Sequence, residues 1–161
     1  LAGCSQLKPK GMLIYCSYSC SRPAGGGKTY CELIADEGKE PKVVIVLDSD
    51  CHFTDEVRGE YKATTADVEE MQQLLEQLEV YKLNGYEVDE ELDGAPTYRI
   101  YQEYADGTKV NAVWSGHKIK QAAKGAYSSI ENFFEKWRKQ AREEAEPADP
   151  DVVEEEEPVA E

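Results

Sequence analysis

The order in which strand-like and helix-like segments follow one another restricts the fold of this chain more than any other feature. Three segments typical of β-strands precede an amphipathic helix, and a similar order recurs in the second half. Strands grouped before a helix favour an α+β fold. We predict an antiparallel β-sheet with two amphipathic helices packed on one face. The order also allows two strand-strand-strand-helix halves, although the identity between the halves is too weak to indicate a repeat.

The strands of the first half are predicted from the alternation of apolar and polar residues and from the turn residues that separate the alternating segments. Strands are predicted at residues 12–20, 29–36 and 43–47, with a glycine-rich loop between the first two. The third strand is apolar on both faces, which predicts a place inside the sheet rather than at its edge. A further strand at 58–62 is predicted at an edge.

The second half contains two turn signals. Asn84-Gly85 is typical of a tight hairpin turn, and Ala105-Asp106-Gly107-Thr108 separates two alternating segments at 97–104 and 109–114. These signals predict one strand near Asn84-Gly85 and a clearer hairpin after it.

Two segments carry apolar residues at helical spacing. The first helix is predicted to begin at Thr64 or Thr65, whose hydroxyl can cap the first turn. The second is predicted to begin near Ser128, because Ser128-x-x-Glu131 matches a capping box. The apolar stripes are Val68, Met71, Leu74, Leu75 and Leu78 in the first helix, and Ile130, Phe133, Phe134 and Trp137 in the second. Both stripes are typical of core-facing helices.

The negative charge is concentrated at the C-terminus. Residues 143–161 contain ten acidic residues and no Lys or Arg, which leaves −5 of the net −15 for the rest of the chain. We predict a disordered acidic tail at 144–161, because a proline-containing, charge-rich segment without aromatic residues cannot bury enough apolar area. An acidic body also argues against nucleic acid as a partner.

Four cysteines follow Cys4, namely Cys16, Cys20, Cys31 and Cys51. In an oxidising compartment they can form two disulfides in three arrangements. Cys16 and Cys20 are about 13 Å apart along a strand, too far to pair. Cys20 and Cys31 flank the glycine-rich loop, so a disulfide between them is the first expectation. Cys16 would then pair with Cys51. Free thiols are an alternative, whereas a zinc site lacks a second cysteine knuckle.

The segment Gly25-Gly26-Gly27-Lys28-Thr29 resembles part of a phosphate-binding loop. The full motif requires glycine at position 22, where this chain has Arg22. The loop also leads into a predicted strand, so no helix N-terminus would meet the phosphates. We therefore expect no nucleotide or other cofactor there.

The segment around Cys51-His52 contains residue types that occur in catalytic and calcium sites. Adjacent strand residues point to opposite faces, so Cys51 and His52 do not suit a nucleophile and its base. Asp48 and Asp50 can be calcium ligands, but a calcium loop needs more oxygen ligands and a bidentate glutamate at set spacing. We therefore predict neither catalytic residues nor a metal site.

Tyrosines are frequent on the predicted strands, with ten in the whole chain. Those on strands are Tyr15, Tyr18, Tyr30, Tyr98, Tyr101 and Tyr104. Alternation places Tyr98 and Tyr104 on one face of their strand and Tyr101 on the other. A tyrosine-rich sheet face can form a binding surface, and we take Tyr98, Tyr101 and Tyr104 as its candidate residues. Ordinary packing of an amphipathic sheet is the alternative.

The first residues, Leu1-Ala2-Gly3-Cys4, resemble the lipobox of bacterial lipoproteins. The resemblance implies lipidation of Cys4, a membrane anchor in the bacterial cell envelope, and a leader peptide before Leu1. We accordingly expect a lipobox and tether at 1–10, one α+β domain at 11–143 and the tail at 144–161. No apolar stretch is long enough for a transmembrane helix.

The glycine-rich first hairpin, the segment Tyr98-Arg99-Ile100-Tyr101-Gln102-Glu103-Tyr104-Ala105-Asp106-Gly107 and the final amphipathic helix resemble small secreted lipoproteins of gut Bacteroidales. This resemblance implies no activity. Without a recognisable nucleophile, base or metal set, we expect a non-enzymatic module that binds a protein, a peptide or a glycan. A small envelope hydrolase and an inhibitor-like protective module are the alternatives.

Overall fold

The computed structural model describes residues 7–22, 27–47, 56–90 and 94–145. The strands are β1 (Leu13–Arg22), β2 (Gly27–Ile34), β3 (Lys42–Leu47), β4 (Val57–Lys62), β5 (Glu87–Asp89), β6 (Thr97–Tyr104) and β7 (Lys109–Ser115). The helices are α1 (Thr65–Gln77) and α2 (Gln121–Glu144), with a short 3-10 helix at Val80–Leu83. The predicted features at Cys4, at Asp48 to His52 and in the tail from residue 146 onward lie outside the described residues.

The seven described strands form one sheet in the order β4-β3-β2-β1-β6-β7-β5. All neighbours are antiparallel except β5 and β7, which are parallel. The predicted α+β fold is therefore confirmed. The predicted positions of the apolar third strand and of the edge strand are also confirmed, since β3 lies between β2 and β4 and β4 is at the edge.

Both helices pack on the same face of the sheet, as predicted. Alternate residues of the strands point to this side and form one core with the apolar stripes of α1 and α2. Core residues of β1, β2 and β3 include Cys16, Tyr18, Cys31, Leu33, Val43 and Ile45. The helices contribute Val68, Met71, Leu75, Ile130, Phe134 and Trp137. No helix within the described ranges is both long and apolar enough to cross a bilayer.

The start of α1 follows from a local signal that the sequence shows. Thr64 is the N-cap, and its hydroxyl accepts a hydrogen bond from the Asp67 backbone N–H at 3.1 Å. The Asp67 carboxylate in turn accepts from the Thr64 backbone N–H at 2.8 Å, which completes a capping box. Of the predicted stripe, Leu78 is the exception, because it lies at the C-cap and is 41% exposed.

The predicted start of α2 is wrong. The helix begins at Gln121 rather than near Ser128, and no side chain caps it. Ala123 and Ala126 are buried and extend the apolar stripe toward the N-terminus by two further turns. Alanine has the highest helix propensity, so these alanines help to compensate for Gly125. A glycine inside a helix lowers stability by about 1 kcal/mol relative to alanine. The apparent capping box at Ser128 lies inside the helix.

The predicted strand near Asn84-Gly85 is present as β5, but the predicted hairpin turn there is wrong. The residues before this turn form the 3-10 helix, and the strand after it, β5, pairs in parallel with β7. Gly85 has a φ of 80°, and its N–H donates to the Asn111 carbonyl at 2.9 Å. Among the described elements four strands, not three, precede α1, so the two halves differ.

Gln102 is a polar residue in the core. Its side chain is fully buried, and neither Oε1 nor Nε2 has a hydrogen-bond partner in the described structure. It lies on β6 opposite Cys16 and Val110. Because burial removes the amide from water without a compensating hydrogen bond, it lowers stability.

We expect Gln102→Leu to raise the free energy of unfolding by about 1–2 kcal/mol, since it removes the unpaired amide at similar volume. Urea denaturation followed by circular dichroism measures the change. Gln102→Ala is the matched control and should destabilise, because it leaves a cavity. A lower urea midpoint for Gln102→Leu than for the wild type would contradict the account.

Candidate functional site

The face of the sheet opposite the helices carries a concave surface, which we call the tyrosine groove. It has a volume of about 330 Å³. Its lining residues are Tyr15, Ser17, Ser19, Lys28, Tyr30, Arg99, Tyr101 and Glu103. They come from β1, β2 and β6, which are adjacent strands.

The shape of the groove follows from which residues face each other across the strands. Ser17 and Ser19 are small and lie on β1, between β2 and β6. Ser19 is opposite Tyr30 on one side and Arg99 on the other, while Ser17 is opposite Tyr101. Small side chains on the middle strand with large ones on both neighbours form a floor and two walls.

Tyr15 on β1 and Tyr30 on β2 are held in place by a shared carboxylate. The hydroxyls of Tyr15 and Tyr30 donate to Glu32 Oε2 at 2.5 Å and 2.6 Å, and the two hydroxyl oxygens also contact each other. Burial raises the pKa of both phenols, and the hydrogen bonds to Glu32 raise it further. The phenols are therefore neutral donors at physiological pH.

The other wall consists of residues from β6. The Tyr101 hydroxyl donates to Glu103 Oε1 at 2.5 Å, and this hydrogen bond raises the pKa of Tyr101. The Arg99 guanidinium lies over the Tyr101 ring, 5.2 Å from its centroid. The rings of Tyr15 and Tyr101, on adjacent strands, meet edge to face with their centroids 5.9 Å apart. The aromatic side chains are thus held in place before any ligand binds.

A second concavity, which we call the helix-side cleft, lies on the other side of the sheet, between α2 and the sheet face that the helices cover. Its volume is about 580 Å³. Its aromatic wall consists of Tyr98, Trp114 and Tyr127, and Cys20 lies beside them. Burial raises the pKa of Tyr98, Tyr127 and Cys20.

The structure separates the three tyrosines that the sequence suggested as one surface. Tyr101 lies in the tyrosine groove, Tyr98 lines the helix-side cleft, and Tyr104 is buried in the core. The predicted alternation within β6 is confirmed. The neighbours of Tyr101 come instead from β1 and β2, as Tyr15 and Tyr30.

The predicted disulfide between Cys20 and Cys31 is not formed. Cys16, Cys20 and Cys31 are buried free thiols, and Cys51 lies outside the described residues. In the β1–β2 register Cys31 is opposite Tyr18 and Cys20 is opposite Thr29, so the two cysteines are diagonal neighbours. Diagonal positions are about 7–8 Å apart, beyond the usual range of a disulfide. The Cys31 thiol instead donates to the Tyr18 hydroxyl at 3.4 Å.

We expect Cys16 and Cys31 to resist iodoacetamide at pH 8 in the native protein and to react in urea. Both side chains are inaccessible, and burial raises the pKa of the Cys31 thiol to about 12. A neutral, buried thiol is a poor nucleophile. Peptide mapping by mass spectrometry measures the labelling. Rapid labelling without urea, or a peptide pair linked through Cys20 and Cys31, would contradict the structure.

No cluster of three or more His, Cys, Asp or Glu side chains suited to a metal is found within the described ranges. No protein-family model matches the chain, and no curated protein shows significant sequence similarity to it.

Proposed function

We propose that this protein is a non-enzymatic binding module of the bacterial cell envelope, anchored by lipid at Cys4, that holds a glycan in the tyrosine groove. The main support is the set of phenols and serines that β1, β2 and β6 together place in the groove. Tyrosine offers a flat apolar ring with a polar tip, and serine adds adaptable hydrogen bonds, a combination that suits binding surfaces.

A glycan suits the groove better than a peptide does. None of the eight lining residues is aliphatic, so the groove has no apolar pocket to anchor a peptide side chain. Strand addition is also unsuitable there, because β1 already pairs with β2 on one side and β6 on the other. Sugar hydroxyls can donate to Glu103 and accept from Lys28 and Arg99, while the sugar rings stack on tyrosine.

The length of the groove matches a short oligosaccharide. Tyr15 and Ser19 are both lining residues, and four residues of a strand span about 13 Å. The fixed phenols reduce the entropy that is lost on binding, because their rotamers are already restricted. Glycan recognition would therefore need no rearrangement of the sheet.

Electrophoresis through gels that contain a soluble glycan tests this proposal. We would use hydroxyethylcellulose, xylan and glycol chitin, with a glycan-free gel as the reference. The proposal expects at least one glycan to retard the wild-type protein and expects Tyr101→Ala to migrate as in the reference gel. Equal migration of the wild type in all four gels would contradict it.

The N-terminal segment indicates the orientation that a lipid anchor at Cys4 would impose. Residues 7–12 run beside the end of the sheet where β1 begins, with the Lys10 N–H donating to Asp106 Oδ2 at 2.9 Å. Lys8 forms an ion pair with Glu76 at 3.2 Å. Only three residue steps separate Cys4 from Leu7, about 10 Å at most. A lipid at Cys4 would therefore hold this end against the membrane.

Exposed apolar side chains occur at the same end. Leu7 and Met12 are 69% and 62% exposed, and Leu78 lies two residues after Glu76, the partner of Lys8. They are the large exposed hydrophobic residues of the described chain. Their position suits contact with a membrane surface, whereas the helix-side cleft, at the far end of β1, would face away from it.

We expect the precursor expressed in a bacterium to partition into detergent and Cys4→Ser to remain in the aqueous phase. The reason is that lipid chains on Cys4 provide the membrane affinity, and serine cannot accept the thioether-linked lipid. Phase separation in a nonionic detergent, followed by immunoblotting of both phases, measures the partitioning. Cys51→Ser is the matched control and should behave as the wild type. Detergent partitioning of Cys4→Ser would contradict the anchor.

A further inference from the structure

The helix-side cleft brings together basic side chains in an acidic chain. Arg22, Lys28, Lys124, Arg138 and Arg142 line it, with Glu131 as the acidic lining residue. The whole chain carries a net charge of −15. A local excess of positive charge in a cleft attracts anions, because the low-dielectric walls focus its field.

Three of these cations are available to a ligand. Arg138 and Arg142 form ion pairs with Glu135, at 3.2 Å and 2.6 Å, and Arg138 also lies 3.8 Å from Glu131. Arg22, Lys28 and Lys124 have no ion-pair partner among the described residues, and all three are exposed. They come from β1, β2 and α2, and so surround the cleft from both of its sides.

Arg138 adds a buried donor that lacks an acceptor. Its Nε is inaccessible to solvent and has no hydrogen-bond partner in the described structure, although its Nη1 is paired. Because Nε is inaccessible, a ligand meets Arg138 through the accessible part of its side chain, which is 18% exposed. A guanidinium binds an anionic oxygen more strongly than a neutral acceptor.

The wall of the cleft is aromatic. The Tyr98 and Trp114 rings stack with their centroids 6.1 Å apart, and the Tyr127 ring meets both edge to face at 4.9 Å and 6.1 Å. Tyr98 and Tyr127 are partly exposed, so ring surface and hydroxyl groups both reach the cleft. Such a wall suits a ring-shaped ligand better than a bare ion.

We propose that the helix-side cleft binds a small organic anion, a sugar ring that carries a carboxylate or a phosphate. Arg22 and Lys124 contact the acidic group, Arg138 adds its positive charge from the wall of the cleft, and Tyr98 and Tyr127 contact the ring. This site lies on the opposite face of the sheet from the tyrosine groove, so it does not depend on glycan binding there. Lys28 lines both concavities and is therefore left unchanged in the test.

Isothermal titration calorimetry of the full chain at low salt tests the site. The probes are glucuronate and glucose 6-phosphate, with glucose as the neutral control and inorganic phosphate as the ringless control. We expect at least one of the two acids to bind, with a Kd at least about tenfold lower than those of glucose and phosphate. The stronger of the two acids identifies the acidic group.

Two variants separate the site from general electrostatics. Arg22→Gln combined with Lys124→Gln is expected to raise the Kd of the bound acid at least about tenfold, because it removes two charge-assisted contacts to the acidic group. Lys139→Gln is the matched control, an exposed lysine on α2 that is not a lining residue, and should change the Kd less than about twofold. Both variants change surface residues, and circular dichroism confirms their fold.

Binding of neither acid, binding of glucose or phosphate as tight as that of the acids, or an equal loss in the two variants would overturn the proposal. A failure of the tyrosine groove to bind glycans would not overturn this proposal, because Arg22 and Lys124 do not line that groove. Failure of the two proposals is therefore distinguishable.

Discussion

Trp137→Ala is expected to lower the free energy of unfolding by about 3–5 kcal/mol, the range observed when a buried tryptophan is truncated. Trp137 is 5% exposed and packs against Phe133 and Phe134, with ring centroids 5.5 Å and 6.3 Å away. It lies on the apolar stripe by which α2 covers the sheet. Since a domain of this kind is stable by about 5–15 kcal/mol, the variant should retain only part of its stability.

Urea denaturation followed by far-UV circular dichroism measures this loss. Lys139→Ala, two residues further along the same helix, is the matched control, because its side chain is exposed and pairs only weakly with Glu143 at 4.0 Å. It should change the free energy of unfolding by less than about 0.5 kcal/mol. A loss below about 1 kcal/mol for Trp137→Ala would mean that α2 does not cover the core as described.

The sequence predicts those parts of the fold that depend on neighbouring residues. The capping box of Thr64 and Asp67 defines the start of α1, and alternation around Asp106-Gly107 gives the β6–β7 hairpin. The start of α2 is the exception, because the capping pattern at Ser128 competes with the helix propensity of the alanines before it, and the propensity prevails.

The parts that depend on distant residues could not be predicted. Alternation alone places Ser17 and Ser19 on one face of β1, and this signal is present in the sequence. Nothing local shows that β6 lies beside β1, which brings Tyr101 opposite Ser17. The same holds for the cations of the helix-side cleft, which come from the β1–β2 hairpin and from α2, two parts of the fold that are far apart along the chain.

Tyr101→Ala is expected to weaken glycan binding about thirtyfold, which corresponds to about 2 kcal/mol. The substitution removes one wall of the tyrosine groove and the ring beneath the Arg99 guanidinium. It also leaves Glu103 without the hydrogen bond from the Tyr101 hydroxyl. The Kd is measured by isothermal titration calorimetry, with an oligosaccharide of the glycan that retards the wild type most strongly.

Tyr61→Ala is the matched control for this experiment. Tyr61 is a partly exposed tyrosine of the same sheet, but it lies on the helix side, where its hydroxyl donates to Glu144 at 2.9 Å. Its loss should leave the Kd within about twofold, because the residue does not line the groove. Equal weakening by the two substitutions would indicate an effect on the fold rather than on a contact.

Mapping the bound oligosaccharide by NMR shows whether the tyrosine groove is the glycan site. Amide and aromatic resonances of the ¹⁵N,¹³C-labelled protein are followed while the oligosaccharide is added. The largest shifts are expected at Ser17, Ser19, Tyr30 and Tyr101, with little change at Trp114 in the helix-side cleft. Shifts centred on Trp114, or no shifts at the four groove residues on saturation, would contradict it.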